Sequence, residues 1–176
     1  MSQKDNLPSS ICVLRLSSIG DITHMIPVIK TIQHNLPKSD ITWIIGKTEY
    51  PLVKNMKEVR FIIIDKSKNL KSIINLKNEI KGEEFDVLLH MQKSLRSKIL
   101  SLFIAAKKKL DYKNTKMPEE SHVLDTFFYF LEEIGIKKRQ LDWSLDFDPP
   151  DNEVLKKKRK YAVFNPFTSS RRFNYR

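Results

Sequence analysis

An α/β fold built on a Rossmann-like, doubly wound parallel sheet is what this sequence predicts, on three observations. Short apolar runs without helical period recur along the chain. Segments with apolar residues three and four apart stand between them, and most runs end in polar or glycine-containing turns. Strands alternating with amphipathic helices pair in parallel and need helices on both faces. At 176 residues the chain holds one full domain of this kind and is too short for two.

The elements follow in order. Ile11-Cys12-Val13-Leu14-Arg15-Leu16 predicts the first strand, which turns at Ser17 to Asp21. From His24 onward, Met25, Ile29, Ile32 and Leu36 recur at helical spacing, and Pro37 closes that helix. Ile41 to Ile45 is a second strand, stopped by Gly46. A short helix over Pro51 to Met56 leads to a third strand, Val59 to Ile64. Leu70, Ile73, Ile74, Leu76 and Ile80 mark the next helix, which ends near Gly82, and Phe85 to Leu89 is the fourth strand. Leu95, Ile99, Leu102, Phe103 and Ala106 form the apolar stripe of the following helix, and Lys108 to Tyr112 reads as a short fifth strand. His122 to Ile134 is a helix with Leu124, Phe127, Phe128, Leu131 and Ile134 inward, capped by Gly135. The aromatic run Phe127 to Phe130 is read as core packing at helical spacing.

The rhythm then breaks. Residues 1–148 read as one complete domain, 149–160 as a linker that opens on Pro149-Pro150 and continues as a basic helix-like segment, and 161–176 as the opening unit of a second domain. Tyr161 to Asn165 is a strand with a turn but no helix after it. The other reading of this strand is that it joins the first sheet.

Composition excludes several classes. The single cysteine, Cys12, rules out an internal disulfide or a four-cysteine zinc site, and its place in an apolar run makes it a core residue. Neither a G-x-G-x-x-G fingerprint, a P-loop, a G-x-S-x-G elbow nor a histidine pair with metal spacing is present. No uninterrupted apolar run exceeds five residues, as at Leu102 to Ala106, far below the ~20 residues of a membrane span, and Met1 to Ser10 does not resemble a secretory signal. A cytoplasmic location is the expectation. The 32 basic and 21 acidic residues give a net charge of +11, and 24 of the 32 are lysine, which favours general surface charge over bidentate arginine contacts. Basic clusters at 107–109, 137–139, 156–160 and 171–172 suit an anionic lipid or a phosphorylated substrate. Without interleaved aromatics, no nucleic-acid partner is expected.

Ligands of open parallel sheets bind beyond the carboxyl ends of the strands. Ser17 to Asp21, Gly46 to Thr48, His90 to Arg96 and Thr168 to Arg172 are the polar loops that fall there. Asp21 stands at a helix start, where the exposed amides and the dipole favour its ionised form by about 0.3–1 kcal/mol. In a cleft it serves as a general base toward a hydroxyl; otherwise it is a helix cap. Gly20 before it allows close approach of a ligand or a positive φ.

Leu14-Arg15-Leu16-Ser17-Ser18-Ile19-Gly20-Asp21-Ile22-Thr23-His24, followed by Pro27, resembles the opening of the lipopolysaccharide heptosyltransferases, glycosyltransferase family 9. Asp86 to Gln92, His122-Val123-Leu124-Asp125 and Tyr161 to Arg172 resemble further stretches of that family, in its order. The resemblance implies the N-terminal half of a GT-B enzyme, inverting, independent of metal and of any cofactor. Its N-terminal domain holds a Kdo-bearing lipid A core as acceptor, and its C-terminal domain holds ADP-heptose. It implies Asp21 as catalytic base, Arg15, Ser18, Gln92, Arg96 and His122 on the acceptor side, and Gly20, Thr168, Ser169 and Arg172 on the donor side. Arg15 with Arg96 would hold acceptor phosphate or carboxylate groups. His90 in place of an aspartate and Lys93 in place of a glycine depart from the family pattern, and the Arg171-Arg172 pair only approximates its donor-phosphate lysine. An anionic glycolipid acceptor fits peripheral contact with the cytoplasmic face of an inner membrane. Since most of the donor domain lies past Arg176 in that family, the isolated chain is expected to be inactive. The alternative is a non-catalytic Rossmann-like module that binds an anionic ligand, a glycolipid ahead of a nucleic acid.

Overall fold

Residues Ile11 to Leu14 alternate their side chains between two apolar surroundings, and that alternation organises the domain. The computed structural model describes residues 7–145. Its elements are β1 (Ser10–Leu14), α1 (Ile19–Asn35), β2 (Asp40–Gly46), a 3-10 turn (Tyr50–Leu52), β3 (Arg60–Ile64), α2 (Asn69–Glu79), β4 (Phe85–His90), α3 (Leu95–Leu102), β5 (Ala106–Leu110) and α4 (Val123–Glu132). The five strands are all parallel, in the order β3-β2-β1-β4-β5. Ile11, Val13, Trp43, Ile45, Val87 and Leu89 point to one face, under α1 and α4. Cys12, Leu14, Ile44, Ile62 and Leu88 point to the other, with Leu76 and Leu100 above them. This two-sided burial is why the strands read as unbroken apolar runs. Cys12 is fully buried, and burial pushes its thiol well above the ordinary range, which makes it a packing residue.

The strand order reverses between β1 and β4, so the crevice beyond their carboxyl ends is the switch point of the sheet. Met25, Ile29 and Ile32 of α1 and Leu36 at its C-cap are all buried, as their spacing predicts. The helix begins earlier than its apolar period, at Ile19, because Gly20 and Asp21 form its first turn. Phe127, Phe128 and Phe130 are buried in the core, and Gly135 closes the segment at φ +87°.

Three expectations need correction. The segment Pro51 to Met56 is helical only as the 3-10 turn Tyr50–Leu52. The fifth strand starts two residues early, at Ala106, and Lys107, Lys108 and Lys109 lie along it at the sheet edge. Charge there blunts pairing with another strand, a structural role for that basic cluster. Most consequentially, the stripe of α3 does not face the core: Leu95 and Leu102 are 76% and 77% exposed, while Ser97 and Leu100 are buried. The Ser97 hydroxyl contacts His90 Nε2 at 2.9 Å and lies within hydrogen-bond distance of Gln92 O and Ser94 O, which orients the helix against its own periodicity. The linker at 149–160 and the strand at 161–165 lie outside the described residues.

Gly46 ends β2 under the tightest constraint among the described glycines. A Cβ there would collide with the Leu16 carbonyl and the Glu49 carboxylate, and would come within 2.7 Å of Lys66 Cε. The Leu16 carbonyl cannot retreat, because it accepts from the Gly46 amide at 3.1 Å. Gly46→Ala is therefore expected to destabilise the domain by about 3 kcal/mol, seen as a lower urea midpoint at unchanged slope.

Candidate active site

The backbone after β1 is held from both sides before it enters α1. Arg15 N donates to Ile44 O at 3.2 Å, Met91 N to Leu14 O at 3.2 Å, and Gly46 N to Leu16 O at 3.1 Å. Gln92, just past β4, accepts from Leu16 N at 2.6 Å through Oε1 and donates to Ser17 Oγ at 3.2 Å through Nε2. Its amide thus ties the two switch-point loops together. Ser17 and Ser18 make the turn, and Asp21 follows in the first turn of α1.

Asp21 Oδ2 is the focus. It accepts from Ser18 N and Ser18 Oγ, each at 2.9 Å, and forms an ion pair with Arg15 Nη2. Among the described residues Oδ1 has no hydrogen-bond partner, and the side chain is 24% exposed. Burial pushes the pKa of this carboxyl up. The Ser18 amide, the Arg15 charge and the Ser18 hydroxyl together outweigh burial and hold it below the usual carboxylate range. The group is ionised at neutral pH.

Arg15 is itself buried, at 8% exposure. Its guanidinium donates to Met91 O and, at 3.5 Å, to Tyr112 OH, and its Cζ lies 5.1 Å from the centre of the Phe127 ring. Tyr112 OH also donates to Met91 O at 3.2 Å, and burial raises its phenol above the ordinary value. These contacts aim one Arg15 nitrogen at the aspartate.

Arg15, Ser18, Asp21 and Gln92 line a cleft of about 540 Å³, together with Lys93 and Tyr112. Its far wall is the segment from Met117 to Thr126, at the start of α4. Lys93 Nζ stands 4.5 Å from the centre of the Tyr112 ring. His122 caps α4 by accepting from Leu124 N at 3.2 Å through Nδ1, and its ring meets His24 edge-on at 5.4 Å. Ser121 and Val123 on either side of it line the cleft.

The sequence-derived set is therefore brought together in part. Asp21, Arg15, Ser18 and Gln92 converge. Arg96 does not join Arg15; it lines a separate groove with Ile64, Ile73, Leu95 and Ile99, because α3 turns it toward α2. Gly20 does not have a positive φ, and space lies open before its Cα. Thr168, Ser169 and Arg172 lie outside the described residues. Tyr112 and the His24–His122 contact were not singled out beforehand. The place of Tyr112 just past the carboxyl end of β5 is the signal that points to it.

No protein-family model matches the chain. The lipopolysaccharide core heptosyltransferase OpsX of Haemophilus influenzae is 34% identical over 180 residues, covering 92% of this chain. The chain is a relative of the lipopolysaccharide heptosyltransferases. It spans about half the length of OpsX, 52%. Solved heptosyltransferase-type structures share its fold. A glycosyl transferase family 9 protein from Veillonella parvula superposes with a TM-score of 0.63 at 19% identity, over 78% of this chain and 43% of that one. E. coli heptosyltransferase WaaC, solved with ADP, gives 0.64 at 16% identity, over 77% and 51%. The five-stranded parallel α/β sheet of this chain is thus the fold of the matched portions of those structures.

Proposed function

We propose that this chain is the acceptor-side half of an inverting heptosyltransferase that moves heptose from ADP-heptose to a Kdo-bearing lipid A core. The observation that carries the reading is an ionised carboxylate at the switch point, fixed through Oδ2 and lining a cleft of about 540 Å³. In this reading Oδ1 of Asp21 takes the proton of the acceptor hydroxyl while that oxygen bonds to the anomeric carbon. The bond from that carbon to the diphosphate oxygen breaks on the opposite face, and ADP departs with the electron pair. A carboxylate held below its usual range is a weak base toward an alcohol. It accepts the proton late, once the new C–O bond has made the hydroxyl acidic.

Lys93 lines the cleft beside Gln92 and joins the proposed acceptor residues, and His122 stays among them from its place between the cleft-lining Ser121 and Val123. Gly20, which leaves room above the start of α1, is proposed on the donor side with Thr168, Ser169 and Arg172. Likeness to OpsX supports lipopolysaccharide core chemistry, and WaaC was solved with ADP and with ADP-2-deoxy-2-fluoro heptose, which supports the donor class. A phosphorylated Kdo saccharide is expected to raise the melting temperature by about 5 °C at a hundredfold excess over its Kd. An unchanged melting temperature across the titration would remove the acceptor-site reading.

A further inference from the structure

The outward stripe of α3 has chemistry of its own. Leu95, Ile99 and Leu102 share one helix face, and Phe103 beside them is 39% exposed. α2 adds Ile74, 56% exposed. The two helices form one surface: Lys77 Nζ of α2 stands 5.1 Å from the centre of the Phe103 ring, and Ile73, Leu95 and Ile99 line a shared groove of about 350 Å³.

Cations flank this apolar surface. At about 100° per residue, Arg96 and Lys98 fall on opposite sides of the Leu95–Ile99–Leu102 stripe, and Lys71 and Lys77 stand three residues either side of Ile74. Between Asp86 and Asp111 the chain carries six basic residues and no acid, and from Asp65 to Glu79 four basic residues and two acids, of which Asp65 lines the groove. An apolar helix face edged by lysine and arginine is the composition that settles into the headgroup boundary of an anionic bilayer.

We propose that the α2–α3 face docks on an anionic lipid bilayer, seating Leu95, Ile99 and Leu102 below the headgroups and lipid phosphates against the flanking cations. Charge favours this occupant over a second copy and over residues 154–176. A second copy related by a twofold axis would set the same cations against themselves. Residues 154–176 of this chain carry eight basic residues and no acid, the same sign as the surface. The four acids at 146–153 make that stretch a competing occupant, which an absence of vesicle binding by the 176-residue chain would reveal. The choice of a bilayer rests on the lipid-borne acceptor proposed above. Ser94 caps α3, accepting from Ser97 N at 3.1 Å, and also lines the cleft, so a docked α3 brings the cleft mouth to the lipid surface.

The test is co-sedimentation of the 176-residue chain with phosphatidylcholine vesicles, with and without phosphatidylglycerol. Binding is expected only with phosphatidylglycerol and is expected to weaken as salt rises. The double variant Leu95→Ser, Leu102→Ser is expected to lower partitioning about tenfold and to leave the melting temperature unchanged, since both side chains are exposed. Wild-type-like partitioning of that variant, or no binding of the parent chain at low salt, overturns the proposal. So does a dimer in size-exclusion chromatography that the double variant converts to monomer while vesicle binding persists. Titration with the soluble phosphorylated Kdo saccharide separates the two readings. Saccharide binding without vesicle binding removes only the docking surface, and vesicle binding without saccharide binding removes only the acceptor site.

Discussion

Asp21→Asn, made in a chain that also carries the donor-binding half, is expected to lower kcat for heptose transfer by about 10²–10⁴-fold with little change in acceptor affinity. Asparagine keeps the shape and can still accept from Ser18 N at the start of α1, where the carboxylate accepts at 2.9 Å. It cannot take a proton. The variant therefore separates base from cap: a cap role predicts a stability change of about 1 kcal/mol or less and near-normal turnover. The pH profile gives a second reading. The Asp21 carboxyl titrates below the usual carboxylate range, so the charge and whatever stability it confers are present above the unfolded value and are lost as pH falls through the folded one. In the parent protein the acid limb of kcat is expected below the ordinary carboxylate range. In Asp21→Asn the residual rate should lose that limb. Turnover within threefold of the parent would remove Asp21 from the chemistry.

How much of this was legible depends on sequence distance. Asp21 was, because a strand, a Gly-Asp turn and a helix are contiguous, and a parallel sheet puts ligands at that end of every strand. The core of α1 was also legible, since all four of its spaced apolar residues have a sheet to cover. The role of Arg15 was not. Its partners Met91 and Tyr112 are 76 and 97 residues away, and only the pairing of β1 with β4 brings the first of them near. Periodicity likewise shows that α3 has an apolar face without showing which side the sheet covers. In α3 a serine and one leucine fill the covered side because Ser97 Oγ lies within hydrogen-bond distance of His90 Nε2. That histidine stands where the family resemblance leads one to expect an aspartate, and burial lowers its imidazole below the ordinary value, so it is neutral there. The departure at residue 90 is thus absorbed beneath α3, away from the cleft lining.

Arg15→Ala is expected to cost about 3 kcal/mol of stability, the lower end for breaking a buried charge pair, because Asp21 keeps some contact with water. Met91 O would retain Tyr112 OH, while Asp21 would lose its counter-charge and keep Ser18. With burial no longer opposed by Arg15, the Asp21 carboxyl must move upward. The acid limb of activity should move up with it, a shift that loss of packing alone would not produce. Arg15→Lys tests the geometry. An ammonium retains the charge but not the planar fork that reaches Met91 O through one nitrogen and Asp21 through the other. Most of the stability and a low acid limb are then expected to return, while kcat remains reduced about tenfold because the carboxylate is no longer aimed. Should Arg15→Ala leave the acid limb in place, Arg15 is a packing residue over Phe127, and the open oxygen of Asp21 is oriented by Ser18 alone.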